Sequence, residues 1–159
     1  MSAPIVLPTL KEWVEQHVRA IYVAEPGKEF DIAFNTFIHE HATITVNGRK
    51  LSRQEYKKQL ETQKADQKSA VVEFLSAVEV AGDNHKPPLT GDVGTAFQVT
   101  IDERFPHTGI PRSRSIDSSL NVAIIFDENI QPGQGEPVGD HDQRRVSVLS
   151  QVTSVRTNL

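Results

Sequence analysis

Residues 34–60 read Phe-Asn-Thr-Phe-Ile-His-Glu-His-Ala-Thr-Ile-Thr-Val-Asn-Gly-Arg-Lys-Leu-Ser-Arg-Gln-Glu-Tyr-Lys-Lys-Gln-Leu. Phe34, Phe37 and Ile38 continue an apolar stripe that opens at Phe30, and their spacing predicts a helix over about 28–39. Residues 42–46 are few and rich in β-branched side chains, and Asn47-Gly48 after them is the signature of a tight turn, so a strand ends there. Ser52 and Glu55 stand three apart, the spacing at which a hydroxyl and a carboxylate satisfy the free amides of a helix start. A helix therefore begins at about residue 51. Its apolar side is thin, Tyr56 and Leu60, while Lys57, Lys58, Glu61 and Lys64 face water.

Upstream, Leu10, Trp13, Val14, His17, Val18, Ile21 and Tyr22 recur at intervals of three and four, which predicts an amphipathic helix over 10–24. Thr9 and Glu12 supply its capping pair, and Pro26-Gly27 breaks the chain before the next helix. Downstream the period changes to two. Segments 70–80, 93–105, 114–126 and 145–156 read as strands. In the second, Val93, Thr95, Phe97, Val99, Ile101 and Phe105 share a face; in the third, Ile116, Leu120, Val122, Ile124 and Phe126 do. Such alternation indicates a sheet covered on one side. The intervening stretches 81–92, 106–112 and 127–144 are polar and rich in turn formers, and the last is long enough to be expected mobile. Helices first and strands later indicate an α+β class.

At 159 residues the chain fits one domain, spanning 1–159 with a core over about 9–156. Its 37% hydrophobic content argues against general disorder. The formal charge of −4, with basic residues scattered, leaves no electrostatic footprint for nucleic acid. The absence of cysteine removes disulfides, thiolate metal sites and a cysteine nucleophile, and is compatible with a reducing compartment. The start of the chain lacks the basic and apolar pattern of a secretory signal, and no stretch has the length of a membrane span. A cytoplasmic protein is expected, with the nucleus open.

The order of a helix, then His-Ala-Thr-Ile-Thr-Val-Asn-Gly at 41–48, then the capped helix from Leu51-Ser52-Arg53-Gln54-Glu55, followed by long strands, resembles the NTF2-like superfamily in its SnoaL-like branch. The resemblance covers about 9–156 and implies a cone: three N-terminal helices packed on a curved, mixed or antiparallel sheet. It implies a pocket for an apolar or aromatic small molecule, lined by Trp13, His17, Tyr22, Phe34, Val46, Tyr56, Phe97 and Val122. It also implies pairing as a homodimer through the outer sheet face. In the steroid isomerase-like members the general base matches Val46, the late-strand oxyanion donor matches Val122, and a phenol matches Tyr22. Two of those three positions cannot move or stabilise a proton. Dehydratases of the superfamily use paired histidines with an aspartate, for which His17 is the available imidazole; polyketide cyclases use an aspartate, for which Asp102 or Asp117 stands. Both aspartates alternate with apolar residues and are expected to point outward. A small-molecule-binding protein is thus expected first, with a cyclase, dehydratase or isomerase using His17 or Tyr22 as one alternative and a homodimeric protein-interaction scaffold as another.

Other clusters read as structural. His39-Glu40-His41 has two imidazoles two apart but no further ligand at a supporting spacing, so no metal site is expected there. Gly139-Asp140-His141-Asp142 reads as a polar turn, and Gly91-Asp92-Val93-Gly94 as a turn or strand bend, not a dinucleotide loop. The serines at 113, 115, 118 and 119 lack a nucleophile motif. Arg112, Arg114, Arg144 and Arg145 read as solvated strand-end cations, with an anionic ligand or a partner's carboxylates as the alternative. No cofactor is implied.

Overall fold

Capping explains where the helices of the computed structural model begin. The structure describes residues 8–82, 89–104, 112–130 and 142–158. Helix α1 (Leu10–Val23) starts at Thr9, whose Oγ1 accepts from Glu12 N at 3.2 Å while Glu12 Oε2 accepts from Thr9 N at 3.2 Å. Glu79 Oε2 accepts a further amide there, Lys11 N at 2.8 Å, placing a carboxylate at the positive end of the helix dipole. Gly27 then adopts φ 98°, open to a residue without Cβ, and turns the chain into α2 (Lys28–Phe37). The third helix, α3 (Arg53–Gln63), repeats the reciprocal cap with Ser52 and Glu55.

Six strands form one sheet. They are β1 (Ile38–Val46), β2 (Arg49–Leu51), β3 (Gln67–Ala81), β4 (Gly91–Glu103), β5 (Ser113–Phe126) and β6 (Arg144–Asn158), in the spatial order β2-β1-β6-β5-β4-β3. All neighbours are antiparallel except β1 and β6, so the sheet is mixed. Asn47 (φ 50°) and Gly48 (φ 78°) make the hairpin turn between β1 and β2. Register irregularities leave one extra residue at Leu75 on β3 and at Ser147 on β6, opposite Ala123/Ile124 of β5, which increases strand bending and twist.

Two boundaries differ from the sequence expectation. Residues 38–41 belong to β1 and not to the preceding helix, because Ile38 pairs with Val146 of β6 and His39 Nδ1 accepts from His41 N at 3.0 Å. Leu51 ends β2 opposite Ile44 instead of opening α3. Phe105, most of the stretch expected to be mobile, and residues 139–141 of the Gly-Asp-His-Asp motif lie outside the described residues.

The helices lie on one face of the sheet, α1 across β3 and β4, α2 against β1 and β6, α3 against β1 and β2. The alternation on β4 is resolved accordingly: Val93, Phe97, Val99 and Ile101 are buried beneath the helices, in register with Val122, Ser118, Ile116 and Arg114 of β5. Helices and strands share one apolar cluster. Among the described residues no helix is long and apolar enough to cross a membrane.

Candidate functional site

Beneath the helices the side chains close the space. Tyr22 and Phe97 meet at 6.2 Å, Phe97 and Phe74 at 5.7 Å, Phe34 and Tyr56 at 6.3 Å. What remains between Tyr22, Phe37, Tyr56, Phe97, Leu120 and Gln151 is a void of about 10 Å³, room for one water at most. The apolar pocket expected there is filled. Tyr22, Tyr56 and Phe97 border the void, whereas Trp13, Phe34, Val46 and Val122 are packed elsewhere in the core.

The polar atoms of this interior are committed to one another. Tyr56 Oη donates to Gln151 Oε1 at 2.8 Å, and Gln151 Nε2 donates to Ser118 Oγ at 2.5 Å. Tyr22 Oη donates to Gln63 Oε1 at 3.0 Å. Burial pushes both phenols above their ordinary range, with Tyr22 adding to the effect at Tyr56. Such groups hold their protons at neutral pH and are poor acids.

His17 is not in the cone. Its ring stacks on Phe37 at 5.6 Å and tilts against Trp13 at 4.4 Å, beside a surface groove between α1 and α2 that includes Ala20, Ile32 and Ala33. Burial lowers its pKa to about 4; Asp142 opposes this, while Arg145 and Arg144 reinforce it. An imidazole so weakly basic is neutral at physiological pH. Because the unfolded chain takes up this proton near pH 6.5 and the folded one only near 4, the contribution is whole above 6.5 and is lost as pH falls towards 4. Urea midpoints measured from pH 7 to 4 should therefore fall more steeply for the wild type than for His17→Phe. Equal slopes would contradict the buried neutral imidazole.

The arginines are corrected as well. Arg144 is fully buried: Nε and Nη2 bind the Asp142 carboxylate, Nη1 donates to Leu89 O at 3.3 Å, and the guanidinium lies 5.4 Å from the Trp13 ring. Trp13 Nε1 donates to Asp142 Oδ2 at 2.8 Å, so one carboxylate joins α1 to the start of β6. Arg145 donates to Asn35 O, Asp142 O and Arg144 O. Arg114 Nη2 donates to Gln63 O and Ala65 O, both at 2.6 Å, and so caps the end of α3. These cations hold the fold together instead of waiting for a ligand.

His39 Nε2 donates to Asp127 Oδ2 at 2.7 Å while its other nitrogen accepts a backbone amide, which leaves neither free for a metal. Asp127 is held below the usual carboxylate range chiefly by the Asn129 amide, with His39 adding to it against burial. No group of three potential metal ligands occurs among the described residues. Asp117 and Asp102 lie on the uncovered face, bound to Gln98 and Arg156 in the first case and to Ser69 in the second.

That uncovered face carries the feature the sequence reading missed. On β3, Val71, Leu75, Val78 and Val80 are each more than 60% exposed, and across the sheet Val148 and Val152 of β6 are exposed at 47% and 66%. Between these rows β4 and β5 present small residues, Gly94, Ala96, Ser119 and Ala123. The result is an apolar trough of about 400 Å³ walled by Val78, Val80 and Val148 and floored by Gly94, Asn121 and Ala123. Gly94 keeps the floor low: a Cβ there would sit 2.7 Å from Asn121 Oδ1. The available signal was the pairing of apolar neighbours on β3, Val71-Val72 and Phe74-Leu75, which puts such residues on both faces of one strand.

Solved structures of similar fold include the following. A candidate polyketide cyclase from Acidithiobacillus ferrooxidans aligns with a TM-score of 0.53 at 17% identity, over 91% of this chain and 87% of that one. Mtr2 of Candida albicans aligns with a TM-score of 0.53 at 14% identity, over 94% and 96%. An NTF2-like protein of unknown function from Pseudomonas aeruginosa aligns with a TM-score of 0.50 at 9% identity, over 91% and 97%.

The fold is NTF2-like. No family model matches the sequence, and no curated protein matches it. At these identities the likeness is one of architecture, and the function of this NTF2-like chain has to come from its own side chains. They offer a packed interior and an open, apolar outer sheet face.

Proposed function

We propose that the chain is a protein-interaction module that pairs through the outer face of its sheet, with a second copy of itself as partner. The observation that carries this is the trough with its exposed valine rows, set against a cone whose void among the described residues is only about 10 Å³. Contiguous exposed apolar surface on this scale marks an interaction site. Val78 and Val80 of β3 form a ridge beside the trough over Gly94 and Ala123, so a two-fold axis sets each ridge in the opposite trough, as a self-complementary interface requires. The C. albicans Mtr2 fold, solved also with the Mex67 M domain at a TM-score of 0.52 and 14% identity to this chain, gives precedent for protein pairing on this architecture.

The small-molecule alternative, and the cyclase, dehydratase or isomerase that would build on it, rests on the likeness to the candidate cyclase. Pockets for such ligands measure about 300 Å³ or more. The void here is smaller by more than an order of magnitude.

Sedimentation equilibrium at micromolar concentration should give twice the 17.7 kDa chain mass. Val78→Asp and Val148→Asp should each raise the dissociation constant at least about 30-fold, the effect of a central contact contributing about 2 kcal/mol, with unchanged circular dichroism. A wild-type protein that stays monomeric throughout the range would remove the homodimer.

A further inference from the structure

A second feature lies at the opposite end of the molecule from the trough's chemistry: a cleft of about 720 Å³ between the start of α2 and the end of α3, whose wall includes Phe30, Glu61, Lys64 and Gln67. Lys64 is only 4% exposed, which is rare for lysine. Its Nζ donates to Tyr22 O at 2.6 Å and lies 5.8 Å from the Phe30 ring centre. Gln67 Nε2 donates to the same carbonyl at 2.7 Å, so Tyr22 O keeps a partner if Lys64 leaves it. Gln67 Oε1, in contrast, is buried with no hydrogen-bond partner among the described residues. An amine that can be released and an acceptor that lacks a donor thus stand together on one cleft.

We propose that this cleft is a binding site for small aromatic aldehydes, with Lys64 Nζ as the group that captures the carbonyl. The neutral amine adds its lone pair to the carbonyl carbon, and the carbonyl π pair moves to oxygen. Transfer of a proton from nitrogen to that oxygen gives a carbinolamine, whose hydroxyl is the donor Gln67 Oε1 lacks. Loss of water then leaves the imine. The aromatic ring is matched by Phe30 in the cleft wall.

The surroundings supply the neutral amine. Burial lowers the Lys64 pKa to about 8, against the opposing charges of Glu25 and Glu29. The other charged groups on the cleft are Asp31 of α2, paired with Lys57 of α3 at 2.8 Å, Glu61 of α3, Asp66 after it, and Arg104 beyond β4. A desolvated lysine of this kind is the usual nucleophile for carbonyl capture.

The full chain would be incubated with benzaldehyde and sodium cyanoborohydride between pH 6 and 10, and alkylation read by peptide mass spectrometry. Lys64, whose lowered pKa leaves part of it unprotonated at pH 7.5, should react there about tenfold faster than exposed Lys28 and Lys50. Its rate should level off just above pH 8. Glu61→Trp, at an exposed position on the cleft wall, should slow Lys64 and spare Lys50. Alkylation of Lys64 no faster than of Lys50 would overturn the proposal, as would an unchanged Lys64 rate in the Glu61→Trp protein, which indicates labelling through transient unfolding.

Discussion

Asp142→Ala is expected to destabilise the protein by about 3 kcal/mol or more, the cost of leaving a buried cation without its partner. The substitution removes the acceptor for Arg144 Nε and Nη2 and for Trp13 Nε1, while Arg144 stays fully enclosed with Leu89 O as its remaining described partner. Denaturant unfolding of Asp142→Ala, Arg144→Met and the double variant separates two explanations. If the loss comes from an orphaned charge, the double variant should be more stable than Asp142→Ala alone, since a methionine fits the apolar surroundings beside Trp13. Additive losses would point instead to separate roles. Acid should act through the same group. Burial raises the Asp142 pKa, but the Arg144 hydrogen bonds and charge, with Trp13, outweigh it and hold the carboxyl below its ordinary 3.8. Its contribution is therefore present above pH 3.8 and disappears as pH falls further, a window separate from that of His17 between 6.5 and about 4.

Phe97→Ala should cost about 3–5 kcal/mol, the range for deleting a buried phenylalanine. Its ring lies between Tyr22 and Phe74, is 2% exposed and borders the small void at the centre of the cone. The void should then grow into an apolar cavity that benzene can occupy, raising the Tm of the variant and not that of the wild type. The contrast is informative about function: it asks whether the chamber implied by the NTF2-like architecture is closed by a few large side chains. A variant unmoved by benzene would mean that the helices collapse onto the sheet when the ring is removed.

Features governed by neighbours in the chain were legible without coordinates. Thr9 with Glu12 and Ser52 with Glu55 form the caps they spell, and Asn47-Gly48 takes the positive φ angles of a hairpin turn. The alternation of β4 named its buried face residue by residue from Val93 to Ile101. Misreadings involve partners far away in the sequence. Ile38 and His39 continue a helical pattern but open β1, where Ile38 pairs with Val146 of β6, more than 100 positions later. Arg144 resembles a solvated cation until Trp13, 129 residues before Asp142, is folded against the same carboxylate. The outward valines of β3 look like half of an ordinary strand until the sheet order places them beside Gly94 and opposite Val148.

The sequence by itself determined that three helices, two of them capped, precede long alternating strands, and hence the α+β class, because caps, turns and periodicity act over a few residues; the NTF2-like plan entered as a resemblance. Only the tertiary structure decided that the cone is filled, that Arg114, Arg144 and Arg145 are drawn into the fold and that an apolar trough faces outward. Volume, desolvation and exposure are properties of the space between segments, set by which side chains from distant strands and helices arrive at the same place.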